Sequence, residues 1–253
     1  MGDFWQRRLS MAAGVALALA GAGVGVGAGG ALAAGQAGQR PDRAEIEAIV
    51  RDYILNHPEI IPEAVARLEQ SEARKALAAN RKALETPFPG AVAGNPAGDV
   101  KLVVFFDYAC PYCRQGSQDV ARLLREDPNL MVIYRDFPVL SPASTEAAMA
   151  SLSAARQGGY GKFHDAMFAS PGRVSLARTM GIVKGVGLSE DRTSADLKNG
   201  ELKAEIDRNL LLGRELGLTG TPSYIVGDRI LSGAVGYDRL KEAVVAARSA
   251  AGR

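Results

Sequence analysis

The chain has 253 residues with 30 Lys and Arg against 28 Asp and Glu, a formal charge of +2 at neutral pH. That balance gives no electrostatic basis for binding nucleic acid or an anionic membrane surface. Two histidines, His57 and His164, lie far apart, and both cysteines share one short motif, which leaves little material for a metal site.

Arg7 and Arg8 precede an uncharged Ala/Gly/Val-rich run, Met11 to Ala34, that contains Ala31-Leu32-Ala33. A charged start, an apolar stretch and small residues at an A-x-A step predict a signal peptide over residues 1–33, cleaved after Ala33. A retained anchor is the alternative by length, but seven glycines make the run a weak membrane span. The mature protein is therefore expected in an exported compartment, the periplasm, without stable membrane insertion. About 220 residues then remain, enough for one sizeable domain and an appendage.

Residues 34–85 are expected to form a helical extension. Ile46, Ile49, Val50, Tyr53 and Ile54 recur at three- and four-residue spacing and make one apolar face. Asn56-His57-Pro58-Glu59 interrupts the helix, with Asn56 as the expected cap of a second one. Ile61, Val65 and Leu68 continue the stripe before an alanine-rich, charged segment. Residues 86–99 hold three prolines and three glycines and read as a linker.

Residues 100–253 alternate strand and helix. Leu102–Phe106 and Leu130–Tyr134 are continuous apolar runs, as buried strands are. A helix is expected from Pro111 to about Arg125, and a helical insertion over about 143–216. Ser223–Val226 and Arg229–Leu231 flank a Gly227-Asp228 turn and predict a hairpin, followed by a helix from Tyr237 to Arg248. The fold class is α/β, a sheet with an inserted helical domain.

The sequence "LVVFFDYACPYCRQ" contains both cysteines, Cys110 and Cys113. Cys110 falls between a buried strand and a helix, with Pro111 in the first helical turn, where its missing N–H costs nothing. Free N–H groups and the positive end of the helix dipole stabilise a thiolate there. Cys110 is thus the expected attacking or attacked sulfur and Cys113 the resolving thiol, with Pro111 and Tyr112 tuning the pair. A structural disulfide closing so short a loop gains little, and half a zinc site lacks its other ligands. No cofactor is called for beyond a redox-active Cys110–Cys113 disulfide.

Gly220-Thr221-Pro222-Ser223-Tyr224 precedes the hairpin, and an X-Pro bond entering a strand suits a cis peptide or a simple strand-entry turn. Together with "FFDYACPYC", "VIYRDFPVL", "KFHDAMF" and "LGLTGTPSYIVGDRILSGAVGYDRLKEAV", this segment resembles the thioredoxin-fold, DsbA-like thiol–disulfide oxidoreductases over about Gly94 to Arg248. The resemblance implies a thioredoxin fold, a cis Pro222 against the sulfurs, and Thr221 offering backbone groups to a substrate strand. It further implies thiol- or disulfide-bearing protein substrates and a membrane redox partner protein.

"VRDYILNHPEIIPEAVARLEQ" is similar to the leader of ScsC-type members, associated with suppression of copper sensitivity. That likeness implies a helical stalk that oligomerises catalytic domains, here through residues 42–85. The alternative is that the extension folds back on its own domain. Thr221 and a stalk fit a disulfide isomerase or reductase, with a DsbA-like oxidase as the alternative. From another class, an oligomeric chaperone or a Cu(I)-binding protein is also consistent, since thiolates suit that ion.

One departure stands out. The family's buried acid six residues before the first cysteine is replaced by Val104. Asp107 is the nearby carboxylate, either a cap at the strand–helix junction or a proton relay. His164 reads as a packing or surface residue.

Overall fold

The computed structural model describes residues 42–252, so the expected signal peptide lies outside the described residues. The chain divides into a unit that ends at Leu55 and one that begins at Asn56.

In the first unit, α1 spans Arg43–Asn56. Its start is a capping box: the Glu45 N–H donates to Asp42 Oδ1 at 2.8 Å and the Asp42 N–H donates to Glu45 Oε2 at 3.1 Å. Ile46, Ile49, Val50 and Tyr53 are exposed. Asn56 ends α1 and does not cap the next helix, and His57-Pro58 lie in the break.

In the second unit, α2 (Ile60–Glu85) is followed by β1 (Val92–Gly94), β2 (Val100–Phe106), α3 (Pro111–Glu126) and β3 (Leu130–Asp136). The inserted helices are α4 (Pro142–Arg156), α5 (Tyr160–Ala169), α6 (Leu176–Gly185), α7 (Glu190–Asp196) and α8 (Gly200–Glu215). The hairpin β4 (Ser223–Val226) and β5 (Arg229–Ser232), then α9 (Tyr237–Ala251), complete it. The sheet order is β1-β3-β2-β4-β5, with β2 and β3 parallel and the other pairs antiparallel. This is the thioredoxin-like arrangement with an inserted helical domain.

The central strand β2 buries both faces, which explains its unbroken apolar sequence. Leu102, Val104 and Phe106 point into a core built with α3, α4, α5 and α9. Val103 and Phe105 point the other way, onto Leu77 and Leu84 of α2, Leu212 of α8 and Leu216 just after it.

That second core corrects the expected boundaries. The end of α2 belongs to the body of the fold, because Leu77 and Leu84 sit two turns apart on one helical face and roof the sheet. The Arg135 side chain fastens the same end, donating to the carbonyls of Ala83, Leu84 and Thr86 and to Glu205 and Asn209. Its buried charge is answered by Glu205 at 3.2 Å. The expected linker contains the edge strand β1, paired to β3. Gly94 has φ +79°, and a Cβ there would strike the Leu130 carbonyl and Leu124, so a strand of three residues carries a glycine.

Candidate active site

The site sits where β2 runs out. Asp107 turns the chain: its Oδ1 accepts from the Ala109 N–H at 2.8 Å, and the Asp107 carbonyl accepts from the Cys110 N–H at 3.0 Å. Asp107 Oδ2 accepts from the Val139 and Leu140 N–H groups, each at 3.0 Å. The buried carboxylate thus joins the cysteine loop to the segment after β3, and its bonding is that of a loop clamp.

Cys110 occupies the N-cap position of α3 in extended geometry, with Pro111 opening the helix. Cys113 lies one turn in; its N–H donates to the Cys110 carbonyl at 3.2 Å. Both cysteines are free thiols and both are buried, Cys113 more deeply at 2% exposure against 6% for Cys110. Tyr112, by contrast, is 63% exposed.

The Thr221–Pro222 peptide bond is cis, and the Cys110 thiol lies 3.3 Å from the Thr221 carbonyl oxygen. The structure therefore brings together Cys110, Cys113, Thr221 and Pro222, residues up to 112 positions apart in sequence. Thr221 Oγ1 is buried without another partner. It sits within reach of both sulfurs.

The electrostatics separate the two thiols. A hydrogen bond from the Cys113 thiol, then Thr221 and the Cys113 and Tyr112 backbone groups, pull the Cys110 thiol down to about 6 against the cost of its own burial. Burial, with the neighbouring Cys110 sulfur, pushes the Cys113 thiol far above the ordinary range. One sulfur is held as an anion and the other keeps its proton. Such a pair can exchange disulfides: the thiolate attacks, and the neighbouring thiol resolves.

Residues 101–245 match the family of DSBA-like thioredoxin domains. The chain belongs to the DSBA-like thioredoxin family. Residues 42–75 separately match the copper resistance protein ScsC N-terminal domain. Among solved structures, this DSBA-like chain is similar to a thioredoxin-like oxidoreductase from Silicibacter pomeroyi, at 39% identity and a TM-score of 0.65, covering 67% of this chain and 98% of that one. A linker-deletion mutant of Proteus mirabilis ScsC is 28% identical with a TM-score of 0.69, over 84% of this chain and 99% of that one. The thiol-disulfide exchange protein alpha-DsbA2 from Wolbachia pipientis is 28% identical with a TM-score of 0.64, over 70% and 96% respectively. A curated relative is Na(+)/H(+) antiporter NhaA 1 of Salinispora arenicola, 28% identical over 158 residues. Those residues are 62% of this chain and 24% of that protein, so the chain spans about a quarter of the length of the curated relatives it matches. Among the described residues no helix is long and apolar enough to cross a membrane.

Several residues of the DSBA-like site escape a reading by sequence. Tyr224 on β4 lies with its hydroxyl against Gly116 of α3, where any Cβ would collide with it. His164 is buried, its ring centroid 4.4 Å from that of Tyr134 and 4.9 Å from that of Phe106, so it is not a surface residue. Both line a small cavity that reaches Cys113. The "KFHD" pattern marks His164 as lying on a helix, but nothing in it tells which wall the imidazole faces.

Proposed function

We propose that this protein is an exported, periplasmic thiol–disulfide oxidoreductase that acts on other proteins through the Cys110–Cys113 dithiol, as an isomerase or reductase. The observation that carries the reading is the place of the Cys110 sulfur: at the N-cap of α3 and beside the cis Thr221–Pro222 bond, with the Cys113 thiol drawing its pKa down to about 6, it is the better nucleophile of the pair. In the reduced protein, the Cys110 thiolate attacks a substrate disulfide, forming a mixed disulfide and releasing one substrate thiolate. Either a substrate thiolate or Cys113 then attacks the mixed disulfide. The first course reshuffles the substrate with no net electron transfer; the second leaves Cys110–Cys113 oxidised and the substrate reduced by two electrons. The Thr221 backbone beside Cys110 supports recognition of an extended substrate segment.

A dithiol oxidase is the second reading, favoured by the same low Cys110 pKa, since a stabilised thiolate leaves readily. A measured redox potential separates the two: a strongly oxidising value assigns the oxidase role, a thioredoxin-like value the reductase. Insulin reduction and refolding of scrambled ribonuclease, run with wild type and Cys110→Ser, test the enzyme itself. Loss of both activities in the variant is expected. Activity unchanged in the variant overturns the enzyme reading and leaves the oligomeric chaperone or Cu(I)-binding protein as the rival. We further propose self-association through the apolar stripe of residues 42–68 and recycling by a membrane redox partner protein.

A further inference from the structure

When Cys113 resolves a mixed disulfide it must lose a proton, yet it is buried and strongly prefers the thiol form. Val104 offers no acid at the expected place, and Asp107 spends its carboxylate on three backbone N–H groups. The nearest exit is the cavity whose walls include Cys113, Val104, Phe106, Tyr134, His164 and Tyr224. At about 10 Å³ it has about the room one water needs.

From that cavity a line of buried polar groups runs away from the sulfur. His164 Nδ1 lies 3.2 Å from the Tyr108 hydroxyl oxygen. Ser151 is the next buried hydroxyl along and acts electrostatically on Tyr108. Its own hydroxyl donates to Asp136 Oδ1 at 2.7 Å. Asp136 ends β3, in register with Phe106 of β2, and is 1% exposed with Oδ2 unpartnered. A buried carboxyl with an unpartnered oxygen is costly to ionise, so it holds a proton readily.

We propose that Asp136, reached through Ser151, Tyr108 and His164, takes up the proton that Cys113 loses, and so does the work of the acid missing at Val104. The proposal rests on the dithiol reading above. With His164 in the Nδ1-protonated tautomer, its N–H faces the Tyr108 oxygen, while the Ser151 hydroxyl can donate to Asp136 or to the Ala148 carbonyl. The Cys113 proton passes by the cavity to His164 Nε2, the Nδ1 proton passes to Tyr108, and each hydroxyl hands one on until Asp136 is protonated. The Cys113 thiolate attacks the Cys110 sulfur, the Cys110–Cys113 bond forms, and the substrate leaves as its thiolate. Asp136 later returns the proton by the same line.

Burial, opposed by the Ser151 bond and aided by the charges of Asp107 and Glu205, lifts the Asp136 carboxyl to about 8. A proton acceptor must be ionised, so the resolving step should accelerate as the pH rises through that value. Burial holds His164 down at about 3, neutral and able to relay in this range. Other titratable groups around the line are Tyr134, Tyr160 and Asp165, with Tyr224 and Asp119 beyond the cavity.

The test follows a mixed disulfide by rapid acid quench and mass spectrometry after the reduced full chain meets a peptide disulfide probe. Its formation reports Cys110 and its decay reports Cys113. Tyr108→Phe and Asp136→Asn each cut the line while changing little volume. The expected result is decay slowed about tenfold or more relative to formation in both. The rise of the wild-type decay rate near pH 8 should be missing from Asp136→Asn. Unchanged decay and pH profile in either variant overturns the relay, as does an equal slowing of formation and decay. If wild type forms no mixed disulfide at all, the dithiol reading falls, and the relay with it.

Discussion

Cys110 and Cys113 differ by one helical turn in sequence and by opposite displacements of their proton affinity. Because the folded pKa of Cys110 lies near 6, below the ordinary thiol value of about 8.5, its ionisation stabilises the reduced protein. That contribution is complete above the ordinary value and is lost as the pH falls through about 6. The oxidised protein has no such ionisation. Thiolate absorbance of the reduced protein should therefore titrate near pH 6, and the stability of the reduced form relative to the oxidised should shrink on acidification, read from denaturant unfolding of both. A midpoint near the ordinary thiol value contradicts the geometry described. Asp107 makes a different prediction. Its carboxylate holds three N–H donors, and an amide in its place turns a donor towards at least one of them. Asp107→Asn should cost about 2 kcal/mol in denaturant unfolding, the scale of a hydrogen bond to a charged group. The cysteines were legible in the sequence because the chain has two, set in one short motif between a strand and a helix, whereas Thr221 and Pro222 were legible through the family resemblance and read locally as a strand-entry turn. Asp136 and His164 were not, because their use depends on which wall of a cavity they face, and single-chain periodicity carries no such information.

At the scale of elements, the strand–helix–strand order and the hairpin follow from the pattern of apolar runs and turns. The end of α2 did not. Its alanine-rich sequence hides Leu77 and Leu84, both at or below 3% exposure, among residues that read as a thin amphipathic helix. Nor did β1, three residues long, whose glycine reads locally as a breaker while Gly94 answers a close approach to the Leu130 carbonyl. The two halves of α2 should respond differently to the same substitution. Leu84→Ala opens space against Val103, Phe105 and α8, and should destabilise the protein by about 2–5 kcal/mol. Leu68, 62% exposed, has no such surroundings, and Leu68→Ala should stay within about 0.5 kcal/mol in the dissociated protein. Equal losses at both positions mean that α2 is buried along its whole length.

At the scale of the molecule, the question is what the apolar side chains of α1 (Ile46, Ile49, Val50 and Tyr53) and, separately, those of the first half of α2 (Ile61, Val65 and Leu68) are for. All seven are exposed, at 48% or more of their surface. Such a run of apolar side chains is unfavourable in water unless something covers it. A second copy of the chain carries the same side chains, and the self-association proposed above would cover them. Removing residues 42–85 is a poor test, because the cut takes Leu77 and Leu84 from the core and strips the Arg135 side chain of its carbonyl partners. A chain that begins at residue 70 keeps those contacts and loses the stripe. Light scattering should then give a full-length mass that is a whole multiple of one chain and a single-chain mass for the shortened form, with the circular dichroism and Cys110 reactivity of the body retained. A full-length protein that scatters as one chain, at concentrations where the shortened form does the same, assigns the stripe to another partner. The reverse result, an assembly that survives the cut, places the interface on the catalytic body instead.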